Sequence, residues 1–61
     1  MDNTFYIVSF IRRDFSPNED YYYYSKEQAL THFNLFRTDD SDLYTKIELK
    51  QEETVLDTIY F

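Results

Sequence analysis

The chain has 61 residues and a formal net charge of −6, because 12 acidic side chains face 6 basic ones. This length excludes a second domain, a Rossmann unit and a barrel enzyme, so residues 1–61 are expected to form a single small globular domain. The sequence contains no glycine and no cysteine, which excludes glycine-dependent phosphate loops, disulfides, thiolate zinc sites and a cysteine nucleophile.

Aromatic residues make up 21% of the chain, as six phenylalanines and seven tyrosines. Each buried ring removes roughly 150–250 Å² from water, so these rings can supply the core that so short a chain otherwise lacks. One helix on one sheet does not accommodate all of them. We therefore expect some tyrosines at the surface, where large apolar patches on small proteins indicate contact with a partner or with a second copy.

No segment approaches the roughly 20 apolar residues needed to cross a bilayer. The start, Met1 to Thr4, also lacks the basic and apolar regions of a signal peptide. We therefore expect a cytoplasmic protein with no membrane partner. Direct nucleic-acid binding is disfavoured as well, because it relies on lysine and arginine to neutralise phosphates.

The first half of the chain is predicted to form a β-hairpin. Thr4 to Arg13 is apolar on both faces, which is typical of a central strand covered on both sides. A polar connection follows over residues 14–20, where Pro17 after Ser16 predicts a type I turn. The four consecutive tyrosines Tyr21 to Tyr24 then form the returning strand.

The spacing of apolar residues predicts a helix from Lys26 to Arg37. Ser25 is its N-cap, and Gln28 completes a capping box three residues later. The face directed at the sheet carries Ala29, Phe33 and Phe36, whereas Leu35 falls on the exposed side.

A loop over residues 38–42 leads to a second hairpin. Without glycine, its left-handed backbone positions are expected to fall to aspartates. The segment from Leu43 to Lys50 alternates, which predicts a strand with one wet face: Leu43, Thr45, Ile47 and Leu49 point inward, and Tyr44, Lys46, Glu48 and Lys50 point outward. A turn near Gln51 and Glu52 precedes the last strand, Glu53 to Tyr60, in which Asp57 interrupts an apolar sequence.

These elements predict an α+β fold with the order ββαββ: a four-stranded, mainly antiparallel sheet with one helix packed on one face. The first and last strands are apolar on both faces, which favours placing them side by side in the middle. The expected strand order is therefore 2-1-4-3.

No pattern of side chains predicts catalysis, a cofactor or a metal. Asp39, Asp40 and Asp42 crowd one loop, but an EF-hand needs a central glycine and a glutamate in the twelfth position. We interpret them as a solvated turn. His32 has no serine and carboxylate grouped with it, so we interpret it as a packing residue at the core boundary. We expect Asp57 to face outward or to pair with a basic residue across the sheet.

The run Tyr21, Tyr22, Tyr23 and Tyr24 is the most unusual local feature. In a strand, two of these rings point at the helix and two point away. Tyrosine is frequent at interfaces because a rigid apolar ring carries a polar tip. The alternatives are that the outer rings merely cover an edge strand, or that they stack single-stranded nucleic acid, which the acidic charge disfavours.

These observations predict a non-enzymatic, acidic protein-binding module. Its size and charge resemble those of small acidic phage and mobile-element proteins, some of which imitate DNA, and the resemblance implies an inhibitor of a basic, nucleic-acid-handling protein. A structural or regulatory subunit that self-associates, as a homodimer for instance, is the alternative. The candidate interaction residues are Tyr21, Tyr22, Tyr23, Tyr24, Asp39, Asp40, Asp42, Tyr44, Glu48, Glu52 and Glu53.

Overall fold

A computed structural model describes residues 4–37 and 42–61. Five elements follow one another along the chain: β1 (Tyr6–Arg12), β2 (Glu19–Tyr23), α1 (Lys26–Asn34), β3 (Tyr44–Gln51) and β4 (Thr54–Tyr60). The four strands form one antiparallel sheet, and α1 packs on one of its faces. The predicted α+β class and element order are confirmed.

The strand order is β2-β1-β3-β4, so the predicted order 2-1-4-3 is wrong in its second half. In the observed order the connection through α1 passes over one strand, β1, and every neighbouring pair is antiparallel. The predicted order would pass over two strands and make β1 and β4 parallel. A helix of nine residues, about 14 Å long, suits the shorter crossing.

The core lies between α1 and the two central strands. Seven side chains are buried there: Val8, Phe10, Ala29, Phe33, Ile47, Leu49 and Ile59. Strand β4 contributes one of them, whereas β3 contributes two. The prediction that β4 is central, which rested on its apolar residues on both faces, is therefore wrong. The helix covers only one face of the sheet, and apolar residues on the other face of β4 stay exposed.

The helix begins as expected and ends earlier. The amide of Gln28 donates to Ser25 Oγ at 3.4 Å, which confirms the N-cap. The α-helix stops at Asn34 rather than Arg37 because the last turn tightens: the Phe36 amide donates to Phe33 O at 3.3 Å and the Arg37 amide to Asn34 O at 3.2 Å.

The turn between β1 and β2 lies earlier than predicted. The chain reverses around Asp14 and Phe15, and the segment from Ser16 to Asn18 is irregular, so Pro17 does not occupy a type I turn. The Ser16 amide donates to Asp14 Oδ1 at 3.1 Å, a side-chain turn that replaces the expected one.

In the described chain the left-handed backbone positions fall to Phe15 and Glu52, with φ of 63° and 55°. The prediction that aspartates take such positions in the loop before β3 concerns residues 38–42, of which the structure describes only Asp42. Leu43, predicted to point inward, precedes β3 and is 55% exposed. No helix within 4–37 and 42–61 is long and apolar enough to cross a membrane.

Candidate interaction surface

The sheet has one face that α1 does not cover. Residues directly opposite each other on neighbouring strands share a face, and the rings of Phe10, Tyr21 and Tyr23 contact His32 of α1, which identifies the helix side. The opposite side, called here the open face, follows from the register: it carries Ile7, Ser9, Ile11, Asp20, Tyr22, Lys46, Glu48, Lys50, Val55, Thr58 and Tyr60.

The centre of the open face is polar and balanced in charge. Ser9 Oγ donates to Asp20 Oδ1 at 2.7 Å, and Ser9 is only 1% exposed. On the neighbouring strand the carboxylate of Glu48 lies 3.6 Å from Lys46 Nζ and 3.8 Å from Lys50 Nζ. Two cations and two carboxylates therefore leave this centre neutral, and the predicted acidic site residue Glu48 is compensated.

Aromatic and aliphatic side chains border that centre. Tyr22 is 64% exposed and Tyr60 is 76% exposed, at opposite corners of the open face. Phe5, just before β1, lies with its ring centroid 6.0 Å from that of Tyr22. The rim of the open face thus presents exposed aromatic side chains around a neutral polar centre.

The four tyrosines divide as the strand alternation predicts. Tyr21 and Tyr23 lie on the helix side, with ring centroids 5.1 and 5.7 Å from that of His32. Tyr23 packs against the core, whereas Tyr21 remains 44% exposed. Tyr22 projects from the open face, and Tyr24, after the end of β2, is 84% exposed.

His32 occupies an aromatic cluster at the edge of the core. The rings of Phe10, Tyr21, Tyr23 and Phe36 surround it at centroid distances between 5.1 and 5.8 Å. Burial lowers the pKa of His32 below its usual range, which favours the neutral imidazole. A neutral ring can accept a hydrogen bond at Nδ1 from the Tyr23 hydroxyl, whose oxygen lies 2.7 Å away. The contacts of His32 are therefore those of a packing residue.

Tyr44 was predicted to point outward and does not. A β-bulge lies between the pairs Ile11–Lys46 and Arg12–Tyr44, and it turns Tyr44 to the helix side. Its ring centroid lies 5.1 Å from that of Phe10, and its hydroxyl donates to Glu19 Oε1 at 3.1 Å. Burial, and then the neighbouring Glu19 carboxylate, raise the pKa of Tyr44 above its usual value.

The predicted acidic residues do not gather on one side. Asp39 and Asp40 lie outside the described residues, and Asp42 is exposed just before β3 begins. Glu52 and Glu53 lie in the turn after β3, at the opposite end of a strand about 26 Å long. A continuous row of carboxylates, which DNA mimicry would need, is therefore not seen among the described residues.

Two of those acidic residues, Glu52 and Glu53, lie at the same end of the sheet as Phe5 and Tyr22. The Glu52 amide donates to Phe5 O at 3.1 Å, which holds the turn against Phe5 and hence near Tyr22. β1 separates β2 from β3, so Tyr22 and this turn are about 10 Å apart across the sheet. We call this region the aromatic–acidic end: Phe5, Tyr22, Tyr24, Glu52 and Glu53.

Asp57 pairs with a basic residue, but that residue follows α1 and does not lie across the sheet as expected. Its Oδ2 accepts from Arg37 Nη2 at 2.9 Å, just past the end of α1, and its Oδ1 accepts from the Thr58 amide at 2.8 Å. Both bonds lower the pKa of Asp57, the Arg37 bond most.

One exposed residue was missed at the sequence level. Phe15 at the tip of the β1–β2 turn is 97% exposed and has a positive φ. The sequence did contain a signal for this exposure, because Phe15 lies in a polar connection. The chain has no glycine, so a non-glycine residue had to take any left-handed position in that turn.

An open depression of about 610 Å³ lies beside α1, lined by Tyr23, Glu27, Gln28, Thr31, His32 and Leu35. Three of its polar side chains are engaged locally: Tyr23 bonds to His32, and Thr31 Oγ1 donates to Glu27 O at 2.8 Å. No group of three or more histidine, aspartate or glutamate side chains within 4–37 and 42–61 is placed to hold a metal ion.

A comparison of the chain with protein-family models finds no match, and comparisons with curated proteins and with solved structures find none either.

Proposed function

We propose that this protein is a non-catalytic protein-binding module that recognises its partner through aromatic side chains left uncovered by its own fold. The observation that supports the proposal is the exposure of five rings, between 44% and 97%: Phe15, Tyr21, Tyr22, Tyr24 and Tyr60. Burial of such rings is among the strongest sources of binding energy at interfaces. A chain with so small a core does not gain stability by exposing them.

The charge distribution favours a basic partner. Outside the neutral centre of the open face, four carboxylates of the described residues have no ion pair, namely Glu27, Asp42, Glu52 and Glu53, against the two cations Arg13 and Lys26. Glu52 and Glu53 lie at the aromatic–acidic end. Carboxylates beside exposed rings steer association with a positively charged surface. An inhibitor of a basic, nucleic-acid-handling protein is the most specific form of this proposal.

The experiment captures partners with the immobilised chain from cells that encode it, at about 50 mM and about 500 mM salt. The proposal predicts a basic protein whose retention falls at the higher salt and is lost in Tyr22→Ala combined with Glu53→Gln. Leu35→Ala, which removes an exposed apolar side chain from α1 and none of the exposed rings, is the matched control and should retain the protein. Equal capture by all variants at both salt concentrations contradicts the proposal.

Self-association is the second candidate, and the neutral centre of the open face favours it. Two chains of net charge −6 repel each other, but two open faces can meet without like charges at their centres. Sedimentation equilibrium of the purified chain distinguishes the two functions. A dimer that Tyr22→Ala and Tyr60→Ala both weaken supports self-association, and a monomer at all concentrations eliminates it.

A further inference from the structure

Phe15 combines two unfavourable properties that nothing in the fold requires. Its side chain is 97% exposed, the highest value among the exposed large apolar residues of the described chain. Its φ of 63° lies in the left-handed region, which an aromatic residue adopts at an energetic cost and which asparagine or glycine adopts easily. Strained backbone outside glycine is concentrated at functional sites, so the outlier calls for a functional explanation.

The turn that carries Phe15 is braced by charged side chains. Arg12 Nε and Nη2 donate to the two carboxylate oxygens of Asp14, each at 3.1 Å, and Asp14 Oδ1 also accepts from the Ser16 amide at 3.1 Å. Arg12 Nη1 reaches Glu19 Oε2 at 3.0 Å and so joins the two strands of the hairpin. These bonds hold the residues on both sides of Phe15 in one conformation.

The neighbouring residue ties the turn to the rest of the sheet. The Arg13 amide donates to Leu43 O at 2.8 Å, and Arg13 Nη2 donates to Tyr44 O at 3.2 Å. The tip is therefore connected to the segment entering β3 as well as to β2. Phe15 extends from a turn that these bonds support, so binding of its ring does not first require the turn backbone to be ordered.

We propose that Phe15 is an anchor residue that inserts into an apolar pocket of the partner protein. This inference rests on the proposed function and adds a second contact point, at the opposite end of the sheet from the aromatic–acidic end. A rigidly presented ring that becomes fully desolvated is the usual form of an interface hot spot. The pocket must be one ring wide, and its rim must accept the Arg13 guanidinium, which has no carboxylate partner among the described residues.

Two other kinds of partner fit the tip less well. Base stacking of nucleic acid needs several cations beside the ring, but of the two preceding arginines, Arg12 and Arg13, the first is paired with Asp14 and Glu19, and the whole chain carries −6. A membrane surface needs more apolar area than one ring or a basic cluster for anionic lipids. A protein pocket requires neither.

The test is site-specific photo-crosslinking in the organism that encodes the chain. The photoreactive analogue p-benzoylphenylalanine replaces Phe15, Tyr22 or Leu35 in three separate chains, where Leu35 is a control, 69% exposed on the outer side of α1. The proposal predicts a product from position 15 that maps to an apolar concavity on one protein, with none from position 35. The purified partner should then bind Phe15→Ala about 30-fold or more weakly than the wild type.

The outcomes separate the anchor from the proposed function. A product from position 22 without one from position 15, or equal affinity of Phe15→Ala, overturns the anchor alone. No product from either position overturns both. A product with a second copy of the chain, or cosedimentation with phosphatidylcholine vesicles that Phe15→Ala abolishes, assigns the ring to a different partner and overturns the proposal. Unchanged urea unfolding of Phe15→Ala is the folding control.

Discussion

At the scale of single residues, the described chain adopts left-handed backbone at Phe15 and at Glu52, one in each of its two hairpin turns. Both residues have side chains that disfavour this region, since the Cβ atom approaches the following carbonyl oxygen. A chain that contains no glycine must place such positions on other residues. The same two turns carry candidate contact residues, Phe15 in one and Glu52 with Glu53 in the other.

Replacement of Phe15 by asparagine should stabilise the protein. Asparagine tolerates a φ near 60° better than phenylalanine, and the change removes an exposed ring that contributes nothing to the core, so the free energy of unfolding should rise by about 1 kcal/mol. Urea denaturation followed by circular dichroism measures it. A loss of stability would show that the Phe15 ring packs on the protein and is not free for a partner.

The stability of the fold should depend on pH through His32. Its pKa in the folded protein is lowered, so between that pKa and about 6.5 the unfolded chain binds more protons than the folded one. The contribution of neutral His32 to the free energy of unfolding is present above pH 6.5. It is lost as the pH falls from 6.5 through the pKa of His32 in the folded protein. Urea midpoints at about pH 7.5 and about pH 5.5 should therefore differ, with the lower stability at the lower pH.

His32→Phe is the matched variant for that measurement, because it keeps an aromatic ring and removes the titration. Its urea midpoint should change less between the two pH values than that of the wild type. Asp14 and Asp57 also have lowered pKa values, but their contribution is lost mainly below about pH 4 and does not enter this interval. An equal pH dependence in the wild type and His32→Phe would contradict the assignment.

The role of a single residue was predicted correctly where one local interaction determines its conformation. Ser25 caps the helix because a cap depends on its own side chain and an amide three residues away. Tyr44 failed because its direction depends on a bulge between two strands that are far apart in sequence. Phe15 was missed because the turn is stabilised by Arg12 and Asp14, and no standard turn signal marks that pairing.

At the scale of elements, α1 attaches to the sheet mainly through one buried ring. Phe33 is fully buried against the central strands. Phe33→Ala should cost about 3–5 kcal/mol, which is most or all of the stability of a chain this small. The variant should lack a cooperative thermal transition, whereas Leu35→Ala, exposed on the other side of α1, should melt as the wild type does. A cooperative Phe33→Ala variant would place the core elsewhere.

Strand β4 is an exposed edge with apolar side chains, and Asp57 limits its pairing. Phe61 N donates to Thr45 O, so by alternation the Thr58 amide points to the outer edge, where Asp57 Oδ1 accepts from it at 2.8 Å. Arg37 holds the same carboxylate, and a bulge lies alongside at Leu49 and Lys50. Occupied edge amides and bulges both oppose pairing with another strand.

Asp57→Ala should free the outer edge of β4. We expect a higher weight-average mass in sedimentation equilibrium than for the wild type, because an open edge amide between exposed apolar residues can pair with a second copy. Asp57→Asn, which keeps an acceptor oxygen for the Thr58 amide, should behave as the wild type. The same mass for all three proteins would show that Asp57 does not protect the edge.

Sequence patterns predicted the strands but not their order in the sheet. Alternation along β3 and apolar content along β1 and β4 identified each element to within a few residues. The pattern reports how exposed a strand is, and it does not report which strand lies beside it. Because only one face of the sheet is covered, β4 can be apolar on both faces and still occupy the edge, with Val55, Leu56 and Tyr60 exposed.

At the scale of the whole molecule, the small core leaves rings on several surfaces. Of the thirteen aromatic residues two are buried, five pack against the core in part, five are largely exposed, and Phe5 is half-buried beside Tyr22. The expectation that the rings outnumber the places beneath one helix is confirmed. Of the candidate carboxylates that the structure describes, Asp42 precedes β3, Glu48 lies within it, and Glu52 and Glu53 follow it.

The most direct measurement of the central claim is ¹⁹F NMR of the chain with fluorinated tyrosines, titrated with the partner that the capture experiment identifies. Resonances of Tyr22 and Tyr24 should shift or broaden on binding, whereas that of Tyr6, which packs against the core, should not. Unchanged Tyr22 and Tyr24 signals in a saturated complex would contradict the claim that exposed rings form the binding surface.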